Sequence, residues 1–318
     1  MDVMLTFDVE DFINVRSIWS LSRVLMILKR FNVNGIFFFT GHMAEKIAEY
    51  PEIVKQLKKH KIGYHSSSHS VRPGILEFCD VEEYERAVEI SLNRETSHIN
   101  PITGLEEGPG GLKKLEATFG QEIDSFRAPS CAWAPPHLDA LKRLGIDFDF
   151  STFISRTPFL HRGIIFYPAP IWAGFQIRSF SSALHYVTGV YLKALRKWRD
   201  KILVFGVHPS HFVNSEWWDS IYRSENLKKL RGVNGVSKDI VEKSYRAFEV
   251  MIENLRTLER IGLVRITCFP RKTTQTHLMK ADEIRRVYEE NLQRYINVYR
   301  SDLKPRYLFS HFKRFLGD

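Results

Sequence analysis

Short apolar runs of strand length alternate along this chain with longer stretches whose apolar residues recur every three or four positions. The first run, residues 2–7 (DVMLTF), is typical of a buried strand, and residues 17–31 (SIWSLSRVLMILKRF) have the period of an amphipathic helix. The same pattern predicts further strands at 35–40, 61–65, 122–128, 147–152, 163–169, 175–180, 201–209 and 263–269, and further helices at 44–60, 135–145 and 237–262. Strand and helix thus alternate over most of the chain.

This alternation predicts an α/β fold with a mainly parallel sheet, because parallel strands need a crossover connection that is usually a helix. Seven or eight such units favour a closed or nearly closed barrel over an open sheet. Residues 98–114 are rich in Gly and Pro, and we expect them to form a loop inserted into the barrel. We therefore expect one barrel domain over residues 1–270.

Residues 271–318 are predicted to be a basic, amphipathic helical tail. Their 11 Lys and Arg against 6 Asp and Glu give +5 of the formal net charge of +9. Apolar side chains fall on one helical stripe at Ile284, Val287, Tyr288, Leu292, Tyr295, Ile296 and Tyr299. Two interpretations fit this stripe: packing against the barrel or a second subunit of a homo-oligomer, and peripheral contact with a membrane surface.

The composition, 44% apolar and 26% charged, is typical of a globular protein with a sizeable core. Cys79, Cys131 and Cys268 are too few and too scattered for a disulfide framework, which favours a reducing compartment. No segment has the character of a signal peptide or approaches the ~18 apolar residues of a membrane span. We expect a cytoplasmic protein, peripheral at the inner membrane face if the tail contacts lipid. No nucleic-acid partner is expected, because no known motif accompanies the basic charge.

Ionisable residues follow several predicted strands at the point where each strand ends. In α/β barrels, active-site groups lie at these carboxyl ends. The residues are Asp8, Glu10 and Asp11 after the first strand, His65 and His69 after the third, Arg127 in SFRAPS and His208 in FGVHPSH.

These residue types are those of a metal-assisted hydrolase. Two neutral imidazoles and one carboxylate can hold a divalent ion with an open position, where water loses its proton more readily. A second carboxylate can take that proton, and an imidazolium opposite can protonate the leaving group. Arg127 would pair with the base carboxylate and orient it. The pattern predicts hydrolysis of an amide or ester, although Asp11 also suits the start of a helix.

The motifs that carry these residues resemble, in order and over roughly residues 3–268, those of the polysaccharide deacetylase family, the NodB-homology domain of carbohydrate esterase family 4. LTFDVED looks like the family's first motif, HSSSH its His-x-x-x-His motif and FRAPS its Arg-x-Pro motif. DFDFST is similar to its Asp-Ser-Ser segment, and VFGVHP to its last motif. The resemblance implies a distorted (β/α)7 barrel, here with a C-terminal helical extension, that removes N-acetyl groups from amino sugars with zinc or a similar divalent ion.

The resemblance also implies a role for individual residues. Asp8 would be the base that activates water, Arg127 would tether Asp8, and His208 would be the general acid. His65 and His69 would bind the metal.

The third metal ligand is where this chain departs from the commonest family pattern of two adjacent aspartates. Here Asp8 is followed by Val9, Glu10 and Asp11, and members with Asp-x-Asp or Asp-x-Glu place the ligand two residues on. On a continuing strand Asp8 and Glu10 share a face, whereas Asp11 points away. Glu10 is therefore the preferred third ligand, and Asp11 is the alternative.

Three functions are compatible with these residues. The leading hypothesis is a metal-dependent N-deacetylase whose partner is a carbohydrate, either a cytosolic amino-sugar conjugate or a lipid-linked sugar. The second is a metal-independent hydrolase of a small amide, of the allantoinase-like type, and the two histidines and two acids weigh against it. The third is a non-catalytic glycan-binding barrel, which we would expect to have lost Asp8 or His208.

Overall fold

The structure is a computed structural model of the 318-residue chain. It describes residues 1–69, 81–99, 103, 105–131, 134–152, 158–168, 170–172, 180–195, 202–218, 232–269, 282–287, 289–290, 293 and 307–316. The described strands are β1 (Asp2–Val9), β2 (Ile36–Phe39), β3 (Lys61–Tyr64), β4 (Ser97–Ile99), β5 (Glu106–Pro109), β6 (Ser125–Phe126), β7 (Phe148–Thr152), β8 (Phe159–His161), β9 (Ile164–Pro168), β10 (Ile171–Trp172), β11 (Ile202–Val207) and β12 (Arg265–Ile266). The described helices are α1 (Val15–Arg30), α2 (Gly41–Ala48), α3 (Pro51–Leu57), α4 (Tyr84–Thr96), α5 (Gly111–Phe119), α6 (Pro135–Arg143), α7 (Phe180–Leu195), α8 (Lys238–Arg260) and α9 (Leu308–Leu316).

The main sheet has the strand order β10-β11-β1-β2-β3-β6-β7-β9-β8, and β12 pairs with the start of β1. Its neighbouring strands are parallel, except that β8 runs antiparallel to β9. Helices connect most of the parallel strands, as crossover connections require. The predicted α/β class with a mainly parallel sheet is confirmed.

The central strands are apolar on both faces, which is typical of parallel sheets covered on both sides. On one face Phe7 of β1 stacks on Phe37 of β2 at 4.5 Å, and Phe248 of α8 packs edge-on at 6.3 Å. On the other face Met4 and Phe38 belong to a separate buried cluster, inside the curled sheet. Because strand residues alternate between faces, this second face is the one that carries Asp8 at the carboxyl end of β1.

Local structure departs from the sequence-based prediction in several places, and α4 and α7 were not predicted. Residues 44–60 form α2 and α3 and not one helix, because Pro51 lacks the amide hydrogen that a continuous helix needs and begins a new helix instead. The predicted loop 98–114 contains a hairpin of β4 and β5 and the start of α5. Of the predicted strand 175–180, residues 175–179 lie outside the described residues and Phe180 begins α7.

Described residues of the tail pack on the rest of the chain. Val287 is buried in the main core, and Ile284 lies against that core. In α9, Phe312 and Phe315 are buried, and His311 Nε2 donates a hydrogen bond to the carbonyl of Val81 at 2.7 Å. These contacts lie within the chain, so contact of the tail with a membrane or a second subunit stays a prediction. None of the described helices combines the length and the apolar character that crossing a bilayer requires.

Candidate functional site

The candidate residues lie at the carboxyl ends of neighbouring strands. Asp8 is in β1 and Glu10 follows it, His65 follows β3, Arg127 follows β6, and His208 follows β11. These strands lie close together in the parallel sheet, so their carboxyl ends meet at one edge. The structure thus gathers at this edge side chains that are far apart in the sequence.

Glu10, His65 and His69 form a compact, buried cluster. Glu10 Oε2 lies 3.2 Å from His65 Nε2 and 3.1 Å from His69 Nε2. One donor atom from each residue lies within 4.8 Å of the other two, and their exposed fractions are only 1–2%. Two imidazoles and a carboxylate are the donor set of catalytic zinc sites that keep an open position. The residues present therefore fit a divalent cation.

The hydrogen bond at the second ring nitrogen of His65 also fits a metal ligand. Its Nδ1 lies 2.6 Å from the carbonyl oxygen of Arg127. A carbonyl oxygen can only accept, so Nδ1 carries the hydrogen and donates it. When the ring is neutral, its lone pair is therefore on Nε2, the atom that faces Glu10. Such a hydrogen bond on the second ring nitrogen commonly fixes the tautomer and orientation of a metal-binding histidine.

The surroundings of Glu10 favour its ionised form. Burial is the largest influence and raises the pKa of Glu10, but the charges of His69 and His208 and hydrogen bonds from His65 and His69 outweigh it and lower this pKa well below its usual value. A carboxylate that is ionised and buried is ready to bind a cation.

The HSSSH segment forms a turn. A helix would also place two histidines at i and i+4 on one side, but this segment is not helical. Ser66 and His69 have φ angles of 63° and 62°, in the left-handed region that non-glycine residues rarely occupy. The first amides of α2 hold the turn, because Gly41 and His42 donate to the carbonyls of Ser66 and Ser67, each at 3.0 Å. Backbone strain of this kind is often found where a side chain must be aimed at a functional site.

Close packing explains why the spacer residues of this turn are small. A Cβ atom on Gly111 would lie 2.8 Å from Ser67 Oγ and 2.6 Å from Tyr64 Oη. A Cβ atom on Gly41 would lie 2.5 Å from the Cα of Gly111. Ser68 has no exposed surface. The turn is therefore enclosed on several sides, and this limits the positions that its two histidines can adopt.

A buried hydrogen-bond network supports the same turn. Tyr64 Oη donates to Glu95 Oε2 and lies 3.0 Å from Ser67 Oγ. His137 Nε2 lies 2.6 Å from Glu95 Oε1. Burial and then the charge of Glu95 raise the pKa of Tyr64 well above its usual value, so the phenol keeps its hydrogen for this bond. Glu95 thus joins α4, α6 and the end of β3.

We expect Glu95→Gln to lower the free energy of unfolding by about 2 kcal/mol. The amide NH2 of the glutamine would face a buried donor that bonds to the carboxylate in the wild type, and this donor would be left without an acceptor. Urea unfolding would measure the change. Glu89→Gln is the matched control, because Glu89 lies on the same helix with its side chain 56% exposed. Equal stability of the two variants would contradict a supporting role for the network.

Arg127 anchors Asp8 from inside the sheet. Its Nη1 donates to Asp8 Oδ1 at 2.6 Å, its Nη2 to Thr6 Oγ1 at 2.8 Å, and its Nε to the carbonyl of Phe150 at 3.3 Å. The guanidinium group also lies 4.3 Å from the ring centroid of Phe38, and Arg127 has no exposed surface. With three hydrogen bonds, the guanidinium orients the Asp8 carboxylate.

The other oxygen of Asp8 faces two imidazoles. Asp8 Oδ2 lies 3.8 Å from His65 Nε2 and 3.9 Å from His208 Nε2. Burial, the largest influence, lowers the pKa of His208, while the charges of Glu10 and Asp8 oppose this shift. The His208 ring stacks on His211 with 4.3 Å between centroids. Asp8 therefore lies between the cluster of Glu10, His65 and His69 and the imidazole of His208.

The end of β7 helps to hold the segment that carries Arg127. Ser151 Oγ accepts a hydrogen bond from the amide of Ala128 at 2.8 Å and donates one to Asp149 Oδ2 at 3.0 Å. Burial raises the pKa of Asp149 to about 7, although hydrogen bonds from Ser151 and the charge of Arg127 oppose the shift. Asp149 thus helps to position the segment that carries Arg127 through Ser151.

Asp11, the alternative third ligand, points away from the histidines and into the scaffold. Its Oδ1 accepts the amides of Ile13 and Asn14, at 3.2 and 3.0 Å. Its Oδ2 accepts Ser17 Oγ at 2.5 Å and Asn214 Nδ2 at 3.0 Å. The geometry places Glu10, and not Asp11, beside the two imidazoles.

Two residues of the site were missed by the sequence analysis. Trp217 and Trp218 each donate an indole hydrogen bond to Glu10 Oε1, at 2.9 and 2.8 Å. The sequence offered one signal for them, since the two adjacent tryptophans come soon after the His-Pro motif. A buried indole N–H usually requires an acceptor, and a carboxylate of the site can provide it.

A comparison with protein-family models finds a match over the first part of the chain. Residues 1–148 match the family model for polysaccharide deacetylase. The resemblance to this family is confirmed. The match includes Asp8, Glu10, both histidines of HSSSH and Arg127, whereas His208 lies beyond it. No curated protein matches the sequence.

Solved structures show the fold of the polysaccharide deacetylase type. A protein from Mycobacterium smegmatis described as a candidate polysaccharide deacetylase is 16% identical, with a TM-score of 0.50 over 83% of this chain and 85% of that one. One from Pseudomonas aeruginosa PAO1, described in similar terms, is 12% identical, with a TM-score of 0.50 over 91% of each chain. The PuuE allantoinase is 12% identical, with a TM-score of 0.51 over 85% and 87%. Identities this low show the fold alone, and the predicted distorted (β/α)7 barrel is confirmed.

Proposed function

We propose that this protein is a metal-dependent hydrolase that removes N-acetyl groups from an amino sugar or glycan. The observation that carries the proposal is the buried cluster of Glu10, His65 and His69 directly beside Asp8, whose other carboxylate oxygen is bound by Arg127. An acid oriented in this way next to a metal-type donor set suits amide hydrolysis. The family match over residues 1–148 supports the choice of acetylated sugar as substrate.

Glu10, His65 and His69 would hold the cation, and zinc fits a donor set of two imidazoles and one carboxylate. When bound, a zinc ion would supply Lewis acidity, which lowers the pKa of water and polarises the acetyl carbonyl. Asp8 takes the proton of the attacking water through Oδ2, the oxygen that faces His65 and His208. Arg127 keeps that oxygen directed at the two imidazoles by binding the other one.

His208 protonates the leaving nitrogen, so that acetate and a free amine are the products. Because burial lowers the pKa of His208, we expect the proton that it donates to be the one that Asp8 takes from water. The 3.9 Å between Asp8 Oδ2 and His208 Nε2 is short enough for this transfer after a small movement. The proton balance of the reaction then needs no further acid.

The expected test is acetate release by the zinc-loaded protein from N-acetylglucosamine oligomers, a nucleotide-linked N-acetyl sugar and a lipid-linked N-acetyl sugar. A chelator should abolish the activity and added zinc should restore it, with one zinc per chain by elemental analysis. The separate substrates distinguish a glycan, a small conjugate and a lipid-linked sugar. The predicted cytoplasmic location, peripheral at the inner membrane face, is a further proposal that cell fractionation would test.

Other outcomes would favour the other two functions. Hydrolysis of allantoin that persists after metal removal would support the small-amide hydrolase and contradict a metal-dependent deacetylase. Glycan binding by the zinc-loaded protein, with no acetate released from any substrate, would identify a non-catalytic barrel.

A further inference from the structure

Glu10 presents only one of its two carboxylate oxygens to the histidine pair. Oε2 lies 3.2 and 3.1 Å from the Nε2 atoms of His65 and His69. Oε1 accepts two indole hydrogen bonds, from Trp217 at 2.9 Å and Trp218 at 2.8 Å. An indole nitrogen only donates, and bonds to an ionised carboxylate are short and strong. One oxygen is thus occupied by protein donors while the other is directed at the imidazoles.

Packing and a hydrogen bond hold Trp218 and the segment before the two tryptophans in this position. Trp218 is 1% exposed and packs edge-on against Phe12, with 5.5 Å between ring centroids. The segment before them is bound by Asn214, whose Nδ2 donates to Asp11 Oδ2 at 3.0 Å. Asp11 therefore fixes both the turn after Glu10 and the segment that brings the indoles to Glu10.

The same indoles also restrict His69. Its ring lies edge-on to Trp217 at 5.5 Å and to Trp218 at 5.9 Å. The pair of tryptophans thus contacts two of the three residues of the metal-type cluster.

We propose that Trp217 and Trp218 are positioning residues that determine metal selectivity, an inference that rests on the metal site of the proposed function. By occupying Oε1, they leave the cluster with two nitrogen donors and a single oxygen donor. Nitrogen-rich donor sets favour zinc, whereas Mn2+ binds better where more oxygen atoms are offered. Removing one indole donor leaves Oε1 with a single one of these hydrogen bonds, so this oxygen can compete for the cation and the site becomes less selective.

Trp217→Phe and Trp218→Phe test this inference. Partners that orient a metal ligand typically contribute 10–100-fold in affinity, so we expect each variant to bind Zn2+ about tenfold or more weakly, with a much smaller change for Mn2+. Competition with a chromophoric chelator would give both dissociation constants, and their ratio is the decisive quantity. Trp19→Phe is the matched control, because Trp19 is 60% exposed on α1 and its ring packs edge-on against Tyr50.

A second variant separates the hydrogen bond from the volume of the ring. Replacing Trp217 with 3-benzothienylalanine keeps the bicyclic shape and puts sulfur in place of the N–H group, so the affinity for zinc relative to manganese should fall as in Trp217→Phe. An unchanged ratio would overturn the inference. An equal loss of affinity for both metals, together with a lower Tm, would also overturn it, since a purely structural role gives that result.

The wild-type protein distinguishes failure of the inference from failure of the proposed function. If the wild type binds no zinc, the metal site is wrong and the inference falls with it. If the wild type binds zinc and the variants keep its selectivity, the metal site stands and only the role of the tryptophans is wrong.

Discussion

Asp8→Asn should lower the rate of acetate release by about a thousandfold, within the range that general acid–base groups contribute. An asparagine side chain has nearly the same shape, and its oxygen can still accept the hydrogen bond that Arg127 Nη1 donates to Asp8. It cannot, however, take a proton from water. Because Glu10, His65 and His69 are untouched, zinc should remain bound at one ion per chain. Initial rates at saturating substrate and elemental analysis of the same sample would measure both effects.

The control must separate loss of a base from loss of an ion pair, because a buried arginine without its carboxylate can destabilise a protein by several kcal/mol. Asp147→Asn removes the ion pair with Lys142, whose side chain is 35% exposed, on the same chain and away from the site. It should leave the rate unchanged. Activity of Asp8→Asn within tenfold of the wild type, in a sample with full zinc content, would show that Asp8 is not the base.

Much of the fold and the gathering of the candidate residues follow from local sequence patterns. The apolar run of β1 and the period of α1 depend on neighbouring residues only, and they predict the parallel sheet. Once the strands are parallel, their carboxyl ends must meet at one edge, which is why His65 and Arg127 could be predicted to lie near Asp8. Their chemical roles stay predictions until activity is measured.

What the sequence could not predict depends on long-range packing. Trp217 and Trp218 reach Glu10 across 207 and 208 residues of chain, and no periodicity of the sequence reflects that contact. The close approach of Gly111 to Ser67 is also a tertiary contact. Pro51 is different, because the effect of a proline on a helix can be predicted from the local sequence. The prediction of one helix over residues 44–60 followed the apolar period around Pro51 instead.

Removing the charge of Glu10 and removing that of Asp11 should have opposite effects on zinc binding and on stability. Glu10→Gln should weaken zinc binding by more than about a hundredfold, beyond the 10–100-fold typical of residues that only orient a ligand. Its apo form should unfold close to the wild type, because the amide oxygen can still accept the indole donors and the amide group can donate to an imidazole. Zinc titration and urea unfolding of the apo protein would measure the two quantities.

Asp11→Asn should give the reverse result, because Asp11 serves the scaffold. Its carboxylate accepts hydrogen bonds from Ile13, Asn14, Ser17 and Asn214, and an amide would direct NH2 hydrogens at some of these donors. Leaving buried donors without acceptors should lower the free energy of unfolding by about 2 kcal/mol, while zinc still binds one ion per chain. If instead Asp11→Asn lost zinc with normal stability and Glu10→Gln kept it, Asp11 would be the third ligand, and the orientation of the two side chains after β1 would have to be reversed in the zinc-bound protein.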